Sequence, residues 1–314
     1  MPSHVTPPHV VTGSGVAGIA TARLLADAGE RVRLISRSGR GPEHPLIELV
    51  AADATDADRL TELLKGARTL YNCAAPAYDR WREEFPPLAT ALVTAAERTG
   101  VNYVMLGNVY GYGPFEGPLR PEQPMAPTAS KGRVRADIWH QALAAHEEGR
   151  VLVTEIRASD YLGADAYSLF NLMVTPQVLA GEPVLYPADL DAAHSWTYVG
   201  DVARTLVAAA ESGAVWGRAW FVPSVSEVSA RELTARLAEV ADAPAPRIER
   251  MEPEVLAQLA AEDSVMAEIA EMRYLDDRDC VLDASETESA LGVKPAALDD
   301  VLREMADAAR AAAR

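Results

Sequence analysis

The chain has 314 residues, of which 49% are hydrophobic, enough to bury a full core without disulfides or metals. Its formal net charge of -17 repels phosphate backbones and anionic lipids, so we expect no nucleic-acid partner and no membrane partner. Cys73 and Cys280 lack CxxC spacing, which argues against a disulfide framework or a structural zinc site. No basic region followed by an apolar run opens the chain. These features favour a cytoplasmic globular protein.

Short β-branched runs alternate with longer helical patterns through the first half of the chain, as is typical of a parallel sheet covered by crossover helices. Strands are predicted at His9–Thr12, Val32–Ser36, Ile47–Val50, Thr69–Asn72, Tyr103–Leu106 and Val151–Arg157. Helices are predicted at Val16–Ala28, Asp56–Lys65, Pro87–Arg98 and Lys131–His146.

Beyond Arg157 the elements become shorter and the pattern less regular. Helices are still predicted at Val199–Ser212, Ser229–Ala241 and Leu298–Arg314. The sequence therefore predicts an α/β protein with a Rossmann-type doubly wound parallel sheet over residues 1–160, to which the segment 195–220 returns. Residues 161–314 are expected to form a smaller, interleaved C-terminal lobe that binds the substrate.

A GxGxxG motif joins the first strand to the first helix. Gly13 allows a tight turn, Gly15 lets the backbone approach a pyrophosphate, and Gly18 lets the helix pack close to the strand. The N–H groups at the start of the helix, from Ser14 to Val16, are free to bind an anion. Since strand, motif and helix agree, these five residues are predicted to bind a dinucleotide.

The residues after the second strand indicate which dinucleotide binds. A site for NAD(H) usually has an acidic residue there, to bind the ribose 2′-hydroxyl. This chain has Ser36-Arg37-Ser38-Gly39-Arg40 instead. Arg37, with Arg40 as a second candidate, could pair with a 2′-phosphate through charge-assisted hydrogen bonds. The sequence therefore favours NADP(H), with NAD(H) still possible.

Several further segments, taken in order, resemble the extended branch of the short-chain dehydrogenase/reductase superfamily, and in particular the NAD-dependent epimerase/dehydratase family. The first two glycines of the turn stand one residue closer than in that family's usual TGxxGxxG. The matching segments, which span nearly the whole chain, are the glycine turn, 51–56, 72–76, 109–111, 157–163, 194–203 and 291–295.

The resemblance implies roles for further residues. Asp53 would lie near the adenine, Ala74 and Ala75 would run along the cofactor, and Lys131 would hold the nicotinamide ribose. It also implies a homodimer, built from the helices around 87–98 and 131–146.

Two of the family's three catalytic residues are missing. The tyrosine of YxxxK is replaced by Pro127, four residues before Lys131, and the serine position aligns with Leu106. Proline has no ionisable group, so another side chain must handle the proton. No metal site is expected. The candidate catalytic residues are Lys131, Asn108, Tyr110, Tyr161 and His194, with Tyr112 as a further candidate.

The function predicted from these observations is an NADP(H)-dependent oxidoreductase that acts on a small organic carbonyl or hydroxyl compound. Two alternatives stay open: a redox-neutral epimerase, dehydratase or cyclase, and a dinucleotide-binding sensor without turnover. A sugar-nucleotide substrate is disfavoured, because the lobe before His194 carries little basic charge. An apolar, aromatic substrate pocket is suggested by Tyr112, Phe115, Tyr161, Tyr167, Phe170 and Trp196.

Overall fold

A seven-stranded parallel sheet forms the centre of the structure, a computed structural model that describes residues 8–213 and 215–314. The strand order is β10-β6-β5-β4-β1-β2-β3. This doubly wound order confirms the predicted fold class. The strands are β1 (His9–Thr12), β2 (Val32–Ser36), β3 (Ile47–Ala51), β4 (Thr69–Asn72), β5 (Asn102–Asn108), β6 (Val153–Ala158) and β10 (Ala219–Phe221).

Helices cover both faces of the sheet. Neighbouring strand residues such as Val10 and Val11 point to opposite faces, so each face carries apolar side chains that a layer of helices buries. On one face α1 (Val16–Asp27) packs against α6 (Val199–Glu211). The other face is covered by three helices: α2 (Ala57–Leu64), α3 (Trp81–Thr99) and α4 (Ser130–Glu147).

A second hydrophobic core lies outside the sheet and draws on the second half of the chain, from Leu162 to Ala306. Its helices are α5 (Thr175–Ala180), α7 (Ala230–Val240) and α11 (Leu298–Ala312), with a π-helical turn at Phe170–Val174. Two small parallel pairs, β7 (Asp160–Leu162) with β9 (Trp196–Tyr198) and β8 (Val184–Tyr186) with β11 (Ile248–Arg250), complete the strands. The remaining helices are α8 (Pro253–Glu262), α9 (Ser264–Asp276) and α10 (Ser285–Leu291).

Most predicted bounds differ from the observed ones by one or two residues, but two regions differ more. α3 begins at Trp81, although the prediction began it at Pro87, and carries Pro86 and Pro87 inside it. Both prolines are exposed, so water can bind the carbonyls that lose their partners. The α8–α9 pair was not predicted at all, and it packs over the edge of the sheet where the site lies. Within the described ranges, no helix combines the length and the apolar character needed to span a bilayer.

Candidate functional site

The glycine turn between β1 and α1 has the geometry expected of a pyrophosphate-binding turn. Gly13 has a φ of +93°, a value that favours glycine. A Cβ on Gly18 would lie 1.9 Å from the Gly13 carbonyl oxygen, so only glycine lets α1 pack this close. A Cβ on Gly15 would meet nothing within 4 Å, so the backbone there faces open space. The turn therefore offers an anion the N-terminus of α1.

A groove of about 750 Å³ opens in front of this turn. Eight of the predicted cofactor-binding residues line it: Gly13, Ser14, Gly15, Ser36, Arg37, Asp53, Ala74 and Ala75. Three do not, since Val16 starts α1, Gly18 lies beneath the turn, and Lys131 lies elsewhere. The groove follows the carboxyl ends of β1, β2 and β4, where open α/β sheets bind their ligands.

Polar contacts hold the two ends of the groove in shape. The Asn72 side chain accepts a hydrogen bond from the backbone N–H of Ala74 at 3.1 Å, which fixes the loop after β4. At the other end Asp53 accepts hydrogen bonds from the backbone N–H and hydroxyl of Thr55, and these, with the nearby charge of Arg37, lower its pKa. Among the described residues the exposed Arg37 guanidinium forms no hydrogen bond or ion pair, so it is free to meet an anion.

A separate pocket of about 170 Å³ lies at the carboxyl ends of β5 and β6. Its walls come from the segments 108–110, 158–161 and 167–169, with one face supplied by α9. Pro76 lines the groove and Tyr78 lines the pocket, so the two cavities are neighbours along the chain after β4. The pocket lies on the β4–β5–β6 side of the sheet, while Arg37 and Asp53 mark the β2–β3 side.

Four of the predicted catalytic residues line this pocket: Asn108, Tyr110, Tyr161 and His194. Of the six aromatic residues expected around the substrate, Tyr161 and Tyr167 do so. Tyr112, Phe115, Phe170 and Trp196 do not line the pocket. Phe170 and Trp196 pack edge to face, with ring centroids 5.4 Å apart, in the second core. Tyr112 and Phe115 belong to another cluster, where the buried Arg157 donates a hydrogen bond to the Tyr112 hydroxyl.

A histidine between two carboxylates forms the polar part of the pocket. His194 Nδ1 lies 2.9 Å from Asp160 Oδ2, and ligand atoms of Asp160, His194 and Asp276 all lie within 4.8 Å of one another. Burial opposes a charge on His194, but the hydrogen bond and the charge of Asp160 outweigh it and raise the pKa of the imidazole. The pair can therefore hold a proton and exchange it with a ligand.

Asp276, the last residue of α9, is in a different situation. Its carboxylate accepts no hydrogen bond from any described side chain or backbone group, and Asp160 adds a second negative charge nearby. Burial first, and then the repulsion from Asp160, raise the pKa of Asp276 to about 7. With the imidazole, the two carboxylates have a spacing that could also hold a metal ion.

The tyrosines around the pocket are weak acids in this setting. The hydroxyls of Tyr78 and Tyr110 lie 3.2 Å apart and share a hydrogen bond. Burial raises the pKa of both, and also that of Tyr161. Asn108 uses its side-chain oxygen to accept the N–H of Tyr110 at 3.2 Å, so its amide N–H is the group left for a ligand.

Lys131 is buried away from both cavities. Its amine donates to the carbonyl of Tyr78, pairs with Glu268 of α9 at 3.0 Å and lies 4.1 Å from the centre of the Tyr78 ring. Burial lowers the pKa of this amine, and the hydrogen bond with Glu268 acts in the opposite direction. To touch a nicotinamide ribose, Lys131 would have to exchange Glu268 and Tyr78 for the cofactor.

Pro127, four residues before Lys131, has no ionisable side chain. A Cβ on Gly132 would lie 2.9 Å from the ring of Pro127, so the proline packs against the start of α4. Leu106, at the serine position, does not line the pocket, and its carbonyl accepts a hydrogen bond from Arg135. The polar groups that the structure offers instead, Asp160 and Asp276, were missed by the sequence reasoning. Asp160 stood within a quoted motif, but nothing in the sequence linked Asp276 to it.

Comparison with known families agrees with this geometry. The model of the NAD dependent epimerase/dehydratase family matches residues 9–219. The chain belongs to this family. That confirms the resemblance, and members of the family are enzymes that use NAD. No curated protein matches the chain.

Solved structures show the same fold at low identity. MoeE5 in complex with UDP-glucuronic acid and NAD is 21% identical, with a TM-score of 0.78 over 97% of this chain and 99% of that one. A mutant UDP-glucuronic acid 4-epimerase from Bacillus cereus, with NAD and a fluorinated substrate analogue, is 17% identical, with a TM-score of 0.80 over 97% and 99%. A double mutant of DesIV, a dTDP-glucose 4,6-dehydratase from Streptomyces venezuelae, is 21% identical, with a TM-score of 0.77 over 96% of each chain.

Proposed function

We propose that this family member is an NADP(H)-dependent oxidoreductase whose substrate is a compact apolar carbonyl or hydroxyl compound, not a sugar nucleotide. The observation that carries the proposal is the pocket beside the groove. It contains a His–Asp pair able to transfer a proton, and its lining includes no lysine or arginine from the described residues.

The groove supports a bound dinucleotide. The open space at Gly15 suits a pyrophosphate, and the adenosine half would extend toward Arg37 and Asp53. Arg37, unpaired and exposed, is placed for a 2′-phosphate, which favours NADP(H), although the similar structures were solved with NAD. The nicotinamide half would extend past Ala74 and Ala75 toward Tyr78 and the pocket. When bound, the nicotinamide would accept or donate the hydride.

Size and charge both disfavour a sugar nucleotide. A cavity of about 150 Å³ holds one benzene molecule, so a pocket of about 170 Å³ suits a single ring and not a nucleoside diphosphate with a sugar. A third cavity, of about 660 Å³ and lined in part by the segments 118–123 and 281–285, offers no better site for a diphosphate. Its basic residue Arg120 lies 3.3 Å from Asp283, and the same lining carries Glu122, Glu227 and Glu288.

His194 takes the part of the absent tyrosine. Its imidazole lies in the pocket wall, and Asp160 orients the ring and favours its charged form. In a reduction, the ring would deliver a proton to the substrate oxygen as the hydride arrives; in an oxidation it would accept one. Asn108 would polarise the carbonyl with its free amide N–H.

The test is a substrate screen that follows consumption of NADPH. Small cyclic ketones and aromatic aldehydes are each added to the protein with NADPH, beside UDP-glucose and dTDP-glucose. We expect turnover with one of the small carbonyl compounds and none with the sugar nucleotides. Conversion of a sugar nucleotide without net consumption of cofactor would replace the proposal with the redox-neutral alternative. NADPH binding without turnover of any compound would favour the sensor.

We propose three further features of the protein: a role for Lys131 in cofactor binding, a homodimer and a cytoplasmic location. The Lys131 amine would hold the nicotinamide ribose once Glu268 releases it. A homodimer would form through α3 and α4, and a monomer mass in solution at micromolar concentration would contradict it. A cytoplasmic location fits Cys73 and Cys280, which are both free thiols.

A further inference from the structure

We propose that the ligand of this pocket carries a basic amine, and that its ammonium group lies against Asp276 and Asp160 while its apolar body fills the space beneath α9. This inference rests on the proposed function in one respect: it takes the pocket to be the substrate site.

The charge of the pocket favours a cationic ligand. Two carboxylates face a pocket whose lining includes no lysine or arginine from the described residues. His194 pairs with only one of them, Asp160, and the Asp276 carboxylate is left without a donor. Two basic side chains, Lys131 and Arg135, pack against the Trp81 ring and lie outside the lining. A half-buried carboxylate without a partner is costly, and an ammonium group supplies the missing donors.

Aromatic side chains in the pocket wall also favour a cationic ligand. The side chains of Tyr78, Tyr110, Tyr161 and Tyr167 line the same pocket as the two carboxylates. Aromatic faces attract ammonium groups within about 6 Å of the ring centre, and the attraction is stronger when water is excluded. Tyr167, at 66% exposed, is the one ring of the four that is free to close on a bound ligand.

The rest of the pocket lining favours an organic cation over a metal ion, although Asp160, His194 and Asp276 could hold either. The rest of the α9 wall is apolar, formed by Val265, Ile269, Met272 and Leu275. A hydrated divalent ion completes its coordination with oxygen ligands or water, and this wall supplies neither. An apolar compound with one amine uses both parts of the pocket.

The experiment compares two probes of nearly equal shape, phenethylamine and phenethyl alcohol, by ligand-observed NMR titration at about pH 8, above the pKa of about 7 of Asp276. Wild-type protein is compared with Asp276→Asn, and Asp165→Asn is the matched control. Asp165 lies in the loop between Tyr161 and Tyr167, is exposed, and has a φ of +60°, which asparagine tolerates. The control therefore removes the same charge from a residue outside the lining of the pocket.

We expect phenethylamine to bind the wild-type protein at least about ten-fold more tightly than phenethyl alcohol. Asp276→Asn should bring the ratio of the two affinities close to one, and Asp165→Asn should leave it unchanged. Equal affinity of the two probes for the wild-type protein overturns the inference without any variant. So does binding of neither probe, or a preference that persists in Asp276→Asn.

Two parallel titrations keep the outcomes distinct. Mg²⁺, Mn²⁺ and Zn²⁺ are titrated alone; tight binding that Asp276→Asn abolishes, without a preference for the amine, would replace the inference with a metal site. NADPH is titrated as well. A preference for the amine without NADPH binding would leave the cation site standing and remove the oxidoreductase. NADPH turnover of neutral ketones without a preference for the amine would support the oxidoreductase and remove the cation site.

Discussion

The groove and the pocket lie side by side on the same edge of the sheet, but they are built in different ways. The glycine turn of the groove lies in one continuous stretch, β1–turn–α1, in which Gly18 packs against the Gly13 carbonyl, while Gly13 itself packs against Cys73 and Ala74 after β4. The pocket is assembled from residues at 108, 160, 194 and 276, which come together only in the folded chain. The groove contains the glycine turn that resembles the family's motif, and the pocket contains Asp160 and Asp276, which the motifs did not single out as candidates. In the function proposed here, binding of the cofactor and choice of substrate are therefore carried by separable parts of the molecule.

The largest effect is expected in the pocket. His194→Gln should lower kcat by about 10²–10⁴-fold, because it removes the group that transfers the proton. The affinity for NADPH should stay the same, since His194 does not line the groove. The measurement is steady-state kinetics on the compound that the screen finds, together with a cofactor titration. His140→Gln, an exposed histidine on α4, is the control. Unchanged kcat in His194→Gln would remove His194 from the mechanism.

In the groove, two glycine variants should separate folding from binding. Gly18→Ala places a methyl group 1.9 Å from the Gly13 carbonyl oxygen and should destabilise the protein by about 3 kcal/mol. Gly15→Ala meets no neighbour within 4 Å, so it should fold normally yet weaken NADPH binding by about ten-fold or more. Thermal melting and calorimetry give the two quantities. Full NADPH affinity in Gly15→Ala would mean that the pyrophosphate does not approach this turn.

A smaller effect tests the choice of cofactor. Arg37→Asp should weaken NADPH binding by about ten-fold or more, because it removes a charge-assisted hydrogen bond and adds a repulsive charge. NADH binding should stay constant or improve. Arg40→Asp makes the same change three residues further on, outside the groove lining, and should have little effect. If both variants leave the ratio of NADPH to NADH affinity unchanged, the arginine does not read the 2′-phosphate.

The smallest effect concerns the stability of the pocket. The raised pKa of Asp276, about 7, lies above that of an unfolded aspartate, so its stabilising contribution is complete below about pH 4 and is lost as the pH rises toward 7. Asp276→Asn should therefore gain stability relative to wild type between about pH 5 and pH 8, with a rise in Tm of about 1–3 °C at the upper end.

The charged and titratable groups that act on Asp276 are Asp160, His194, Asp277 and Arg273. All four are present in both proteins, so the difference between the two melting curves reports the loss of the Asp276 carboxyl together with its effect on the pKa of His194. A difference that shrinks as the pH rises would contradict the assignment.

The contrast between groove and pocket also explains how far the sequence could be interpreted. The sheet and eight of the residues that line the groove were predictable, because each depends on hydrophobic period or on neighbours a few residues away. His194 was a candidate because of its family position. Asp160, at the start of β7, and Asp276, at the end of α9, come close to it only in the folded chain. α9 itself has polar contacts that no periodic pattern reveals, such as Glu271 accepting the N–H of Ser130 at 2.7 Å.

The most direct test of this account is a calorimetric titration of one protein sample with NADPH, NADH and UDP-glucose. The account predicts that NADPH binds more tightly than NADH, and that UDP-glucose does not bind, either alone or with NADPH present. Tight binding of UDP-glucose, together with a preference for NADH, would contradict it. The pocket would then accept a sugar nucleotide, as in the solved relatives.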